Sequence, residues 1–274
     1  MSRTLLKILI FVTLWVPVSF THASEPIRIL LVPGHDDSVW GAQYGNIKES
    51  DMNLRLGTEL YNILKKDKRF KVYITRDSSG YTKDFADYFS TNQQEIISFR
   101  ENAKKMIVDS VENGSFIEKE SVPHVTVNEY MSIILYGINR WANENKMDAV
   151  IHIHFNDYPR EQKWTIGKYK GFAIYIPDEQ LANSKESVAL AGSIFKQLKT
   201  KYIPSTYEKE ISGLVPDQSL IALGSNNTLA QAVRSVLIEY GYIYRFKDRI
   251  MRHKAYGIMA NLTAQGIKKY FFKK

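Results

Sequence analysis

His35 closes the run IRILLVPGH at residues 27 to 35, and Glu49 follows fourteen positions later, just before a segment with helical periodicity. Two more polar sites stand where apolar residues are expected. AVIHIHF (149 to 155) alternates His152 and His154 with Ile151 and Ile153, and SVLIEYGY (235 to 242) sets Glu239 among strand formers. Side chains alternate across a strand, so both imidazoles, and Asn156 after them, project to one face. A carboxylate within a buried strand is costly unless it is paired, binds a metal or faces a cleft. Taken singly, each residue has an ordinary role: a strand histidine as a hydrogen-bonded core residue, a glutamate before a helix as a partner of the helix dipole. Taken together they change weight, because several strands end in a titratable group and ligands bind at the carboxyl ends of parallel strands. A mixed His/Glu/His set with an open fourth position is the ligand chemistry of catalytic zinc. A further carboxylate nearby serves as general base and then acid.

The elements that must position these groups alternate in type. IRILLV (27 to 32), bounded by Pro33-Gly34, reads as a buried strand. From Ser50, a plausible N-cap, the period becomes 3.6, with Leu56, Leu60, Ile63 and Leu64 on one stripe. KVYITR (71 to 76) resumes as a strand. Further along come a helix over 136 to 145, strands at 149 to 155 and 171 to 176, a helix over 187 to 198, the strand 235 to 242 and a last helix from about 255 to 271. This alternation predicts an α/β fold with a mostly parallel twisted sheet flanked by helices, in a single domain with no internal repeat. Residues from about 81 to 135 exceed a minimal alternation and read as a helical insertion, either an added layer over the sheet or a wall over a substrate groove.

Composition narrows the classes. The chain has 274 residues, 44% of them hydrophobic and 24% charged, which excludes a disordered polymer. No cysteine occurs, so disulfide frameworks and thiolate metal sites are excluded, and any metal must be held by His, Asp or Glu. Arg3 and Lys7, an apolar run from Ile8 to Phe20 and Thr21-His22-Ala23 read as a secretory signal removed after Ala23, leaving 24 to 274 as the mature chain. The run is shorter than a membrane-spanning helix needs and contains Pro17, so no stable membrane span is expected. The formal charge of +8 falls to +6 when Arg3 and Lys7 are removed, favouring anionic partners such as cell-wall polymers. The basic clusters at 65 to 69 and 271 to 274 sit at helix ends, where cations suit the dipole, and no nucleic-acid motif is present.

The ordered set PGH (33 to 35), E-x-x-x-N-L (49 to 54), ITR (74 to 76), N-R-x-A-N (139 to 143), IHFN (153 to 156), G-x-x-x-Y (171 to 175) and VLIEYGYI (236 to 243) resembles the zinc-dependent N-acetylmuramoyl-L-alanine amidase family, in its type 3 catalytic domain. The resemblance covers nearly the whole mature chain. It implies a peptidoglycan hydrolase of the periplasm or the secreted fraction, holding one zinc ion through His35, Glu49 and His154, with Glu239 as the catalytic carboxylate. It also implies that the amide between N-acetylmuramic acid and L-alanine is cut. Outside that resemblance, Arg76, Asn156 and His152 are candidates to contact substrate: Arg76 either orients substrate carboxylates or sits in a structural ion pair at the sheet edge, and Asn156 is a candidate to hydrogen-bond near the metal.

Three departures from the family's pattern bear on that expectation. His152 stands where the family usually has serine, and so competes with His154 for the metal or supports it from behind. Asp36-Asp37 replace small glycines after His35, and the 81 to 135 segment precedes the strand of His154. Two other functions stay open: a non-catalytic peptidoglycan-binding module and a zinc peptidase acting on another exported substrate. No wall-binding repeat is found, so a partner protein is a candidate for targeting or activation. His124 and His253 have no spacing partner and are expected at the surface or an interface, and Tyr240 and Tyr242 are expected to pack.

Overall fold

The computed structural model describes residues 25–272 apart from 125 and 163, so the expected signal segment lies outside the described residues. The first apolar run becomes β1 (Ile27–Pro33), and a short hairpin, β2 (Gln43–Tyr44) with β3 (Ile47–Lys48), leads into α1 (Glu49–Lys65). Next come β4 (Phe70–Ile74), the hairpin β5 (Arg76–Asp77) with β6 (Gly80–Tyr81), α2 (Lys83–Thr91), α3 (Gln93–Glu112) and α4 (Glu129–Glu144). The second half holds β7 (Ala149–Asn156), β8 (Ala173–Pro177), α5 (Ser184–Leu198), β9 (Leu214–Asp217), β10 (Arg234–Tyr242) and α6 (Arg249–Phe271).

Six strands form one sheet in the order β4-β1-β7-β10-β8-β9. The first four run parallel; β8 is antiparallel to β10, and β9 follows β8. The carboxyl ends of β1, β7 and β10 therefore meet at one edge. Alternate β1 residues feed two cores: Ile29 and Leu31 pack with α1, α5 and α6, whereas Leu30 and Val32 pack with Phe85 of α2 and with Ile134, Ile138 and Trp141 of α4. Helices thus cover both faces, as the alternation predicts. On α1, Met52, Leu56, Leu60 and Leu64 are fully buried at a spacing of four. Each contributes about 1.5–3 kcal/mol of apolar burial and fixes the helix against β1 and β7.

Several expected boundaries shift for local reasons. Ser50 is not an N-cap: α1 begins at Glu49, and the amides of Glu49 and Ser50 donate to the carbonyls of Ala42 and Trp40, so loop backbone replaces a side-chain cap. The expected strand over 71 to 76 stops at Ile74, and Arg76 turns inward at the start of the next hairpin. Strand β9 lies in a segment too short to show a clear period, whereas α2 carries Phe85, Tyr88 and Phe89 on one face and falls within the expected insertion. Within 81 to 135 the chain forms α2 and α3 and then a loop, 113 to 128. Helix α3 packs on α4 through Ile96, Ala103 and Tyr136 rather than on the sheet, while Val122 of the loop joins a small core over β8.

Candidate active site

At the carboxyl edge, strand pairing sets the spacing. His152 is level with Val32 of β1 and Leu237 of β10, and His154 is level with Glu239. Level residues on parallel neighbours lie about 4.8 Å apart and face the same side, so His154 and Glu239 stand side by side. Beyond Pro33 the chain enters the left-handed region at His35 (φ 60°), which swings its ring back over the strand ends. Arg76 holds that turn: its guanidinium donates to the carbonyls of Pro33 (3.2 Å), Gly34 (3.2 Å) and Ser50 (2.6 Å). Asp36 also turns inward, accepting from the amides of Ser38 and Val39 and from the hydroxyls of Tyr81 and Tyr130.

These devices bring His35, Glu49 and His154 together, with one ligand atom from each lying within 4.8 Å of the others. Glu49 bridges the pair: Oε2 is 3.2 Å from His35 Nε2 and Oε1 is 2.9 Å from His154 Nδ1. It is held from behind by the amides of Ala42 (2.8 Å) and Phe155 (3.3 Å) and by Asn53 Nδ2 (3.3 Å). Two imidazoles and a carboxylate converging on one point, with the imidazoles partly open to solvent, fit a divalent ion of the zinc kind with room for a further ligand. Burial alone would raise the Glu49 carboxyl, but His35 and His154 outweigh it and hold it well below the usual carboxylate range. Burial lowers His154, whereas at His35 the Glu49 carboxylate outweighs burial and raises it.

Two consequences can be measured. Gly41 (φ +71°) sits against this cluster, and a Cβ there would press into Glu49 Oε2 and the His35 ring. Gly41→Ala is therefore expected to weaken zinc binding by about 10- to 100-fold, as losses of ligand-orienting contacts do, without unfolding the chain. Competition with a chromophoric chelator, beside circular dichroism, checks both halves. The second concerns pH in the metal-free protein. Glu49 lies below its ordinary 4.5 when folded, so its stabilisation is complete above that pH and fades as acid is added. His35 lies above its ordinary 6.5, so its contribution is complete below 6.5 and fades as pH rises through the folded value. The excess stability of metal-free wild type over Glu49→Gln is expected to peak between about 4.5 and 6.5, as read from urea midpoints across pH.

The remaining residues divide. His152 is buried behind His154, has no hydrogen-bond partner for either ring nitrogen among the described residues, and is pushed down to about 3, first by burial and then by His154. It is not in the three-residue cluster. Glu239 points its Oε2 into an enclosed position without a hydrogen-bond partner among the described residues, and its carboxyl is raised well above the usual range by burial and then by Glu49 and Glu210. Arg76 is 4% exposed and spends its donors on backbone. Asn156 donates to Glu210 (2.8 Å).

Sequence reasoning missed Glu210, a 1% exposed carboxylate that also accepts from Tyr175, Ser205 and Tyr242. It lies in an irregular segment with no period to flag it. His124 lies at the surface as expected, but it is not without a partner: its ring packs edge-on to Tyr175 and its Nε2 lies 2.9 Å from Asp217, whose side chain is fully buried. Burial would raise Asp217, but His124 and backbone donors hold it below the usual range. Tyr242 packs as expected and in addition supplies a hydroxyl to Glu210. A cleft of about 440 Å³ beside Glu239 gathers these groups, and Val122, Pro123 and His124 of the 113 to 128 loop form part of its wall.

With this geometry in place, comparison with known proteins is informative. A family model described as N-acetylmuramoyl-L-alanine amidase matches residues 29–269. No curated protein sequence matches the chain. Among solved structures, the CwlD amidase of Clostridioides difficile in complex with the GerS lipoprotein superposes with a TM-score of 0.57 at 18% identity, covering 89% of this chain and 98% of that one. An N-acetylmuramoyl-L-alanine amidase of Clostridium difficile 630 gives 0.55 at 17%, covering 92% and 100%. Apo Ami1 of Mycobacterium abscessus gives 0.54 at 16%, covering 90% and 100%. At these identities the structures establish the shared fold.

Proposed function

The chain belongs to the N-acetylmuramoyl-L-alanine amidase family, and we propose that it cuts the amide between N-acetylmuramic acid and L-alanine with one zinc ion held by His35, Glu49 and His154. The class is that of a peptidoglycan hydrolase. The observation that carries the assignment of residues is the convergence of those three side chains beside the unpartnered Oε2 of Glu239.

Zinc, when bound there, supplies Lewis acidity toward the scissile carbonyl and acidifies water. The chain's own residues do the rest. Glu239, one strand from His154, accepts the proton of the attacking water and returns it to the amine of L-alanine as the C–N bond breaks. Burial and the neighbouring carboxylates of Glu49 and Glu210 raise its carboxyl above the usual range, which makes it a stronger proton acceptor. Glu49 keeps both imidazoles oriented, and Arg76 fixes the turn that presents His35. The products are a free stem peptide and a glycan strand without it. Arg76 in this reading supports the site from within, while Asn156 and Glu210 shape the neighbouring cleft.

The reading includes action outside the cytoplasm after removal of residues 1–23, and an activating partner. The partner is supported by the CwlD neighbour, which is described in complex with a lipoprotein; no helix among the described residues is long and apolar enough to cross a membrane. The test is mass spectrometry of soluble products after incubating the mature protein with sacculi, with zinc and with a chelator in parallel. Zinc-dependent release of peptides beginning at L-alanine is expected; cleavage at any other bond overturns the assignment.

A further inference from the structure

The N-terminal turns of α1 and α6 wall a second cavity, of about 180 Å³, whose lining shares no residue with the metal-ligand cluster. Four cations line it, Lys48, Arg55, Arg249 and Arg252, against a single acid, Asp51. Lys48 lies over the Trp40 ring, and Arg252 donates to the carbonyl of Phe246. None of the four is in an ion pair among the described residues. The backbone adds to this charge. Helix α6 brings its positive end here with no acid in its first turn, and its cap, Asp248, accepts from the Met251 amide. Residues 245 to 254 carry five cations and one acid, and cations at a helix N-terminus oppose the dipole, so helix stability does not account for them. Between Arg249 and Arg252 stand two bare apolar side chains, Ile250 at 79% exposure and Met251 at 65%. Ile250 is the most exposed large apolar side chain among the described residues. A soluble anion would satisfy the cations and leave this pair in water. An anionic bilayer matches both features: headgroup phosphates accept from the guanidinium groups, and apolar side chains enter the boundary beneath them.

We propose that this face docks on an anionic phospholipid surface: the cavity between α1 and α6 takes a headgroup phosphate through Arg55, Arg249 and Arg252, while Ile250 and Met251 enter the acyl boundary. The attachment is peripheral and uses no spanning helix. Glu49 follows Lys48 directly in the chain, so docking holds the metal-ligand cluster beside the bilayer surface.

The test floats the mature protein with vesicles of phosphatidylcholine alone, or of phosphatidylcholine and phosphatidylglycerol in equal amounts. Partitioning onto the anionic vesicles is expected to exceed that onto the neutral ones at least about twentyfold, since each cation near the surface is worth about fivefold. Arg55→Gln with Arg249→Gln is expected to weaken it at least about tenfold. Ile250→Ser with Met251→Ser is expected to weaken it about tenfold as well, with the circular dichroism of both variants unchanged. Lys65→Gln with Lys68→Gln removes as much charge at the far end of α1 and is expected to change it less than about twofold. Equal binding to the two kinds of vesicle overturns the proposal. So does full affinity of the Ile250 and Met251 variant, which would mark a site for phosphate groups in solution. An equal loss in the Lys65 and Lys68 variant overturns it too, since net charge alone would then carry the binding. None of these readouts depends on hydrolysis, so the docking face and the amidase reading stand or fall separately.

Discussion

Glu239→Gln is expected to reduce turnover by roughly a hundred- to ten-thousand-fold while zinc content and sacculus binding stay at wild-type levels. The amide fills the same space beside His154 but neither takes a proton from water nor returns one to the leaving amine. A second readout separates this from a structural lesion. Burial, Glu49 and Glu210 hold the folded carboxyl well above its ordinary 4.5, so the unfolded chain gives up that proton first, and raising pH through 4.5 favours unfolding. Glutamine removes that liability. The variant is therefore expected to melt above wild type at pH 7 in the metal-free state. Loss of activity with a gain in Tm would mark Glu239 as a group kept for chemistry at a cost in stability. Unchanged turnover, measured as L-alanine peptides released per minute, would remove it from the mechanism.

Glu49→Gln is the other large effect. The substitution keeps size and the capacity to hydrogen-bond but deletes the charge that draws His35 and His154 together at 3.2 and 2.9 Å. Losing a ligand costs more than losing a residue behind one, so zinc affinity is expected to fall by more than about a hundredfold and hydrolysis to become undetectable at stoichiometric zinc. Metal analysis after gel filtration should give near one zinc per wild-type chain and close to none per variant, with the circular dichroism of the two alike. A variant that keeps its zinc would show that Glu49 is not a ligand, leaving the two imidazoles to bind with another group.

Much of this molecule is legible in its sequence because the relevant periods are local. Strand runs ending in His35, His154 and Glu239 announce a parallel sheet with polar groups at one edge, and the four-residue stripe on α1 announces its buried face. The residues around the cleft escape that reading for the opposite reason. Glu210 lies in an irregular loop between α5 and β9, and His124 in another before α4, so neither has a periodic neighbour to give it direction. Each acquires a role only from partners far along the chain, Tyr242 in one case and Asp217 in the other.

The sequence by itself determined the α/β alternation and offered the candidate residues for holding a metal and moving a proton, since strand alternation and residue type point to both. Tertiary structure decided the rest. His152 and His154 share a face and a strand, yet register and the return of the His35 turn bring only His154 against Glu49 and leave His152 buried behind it. Arg76, which the sequence offers to the substrate or to a structural ion pair, is bound instead to three backbone carbonyls. These outcomes depend on strand order and on loop backbone at positive φ, both fixed by long-range packing that no local window of residues contains.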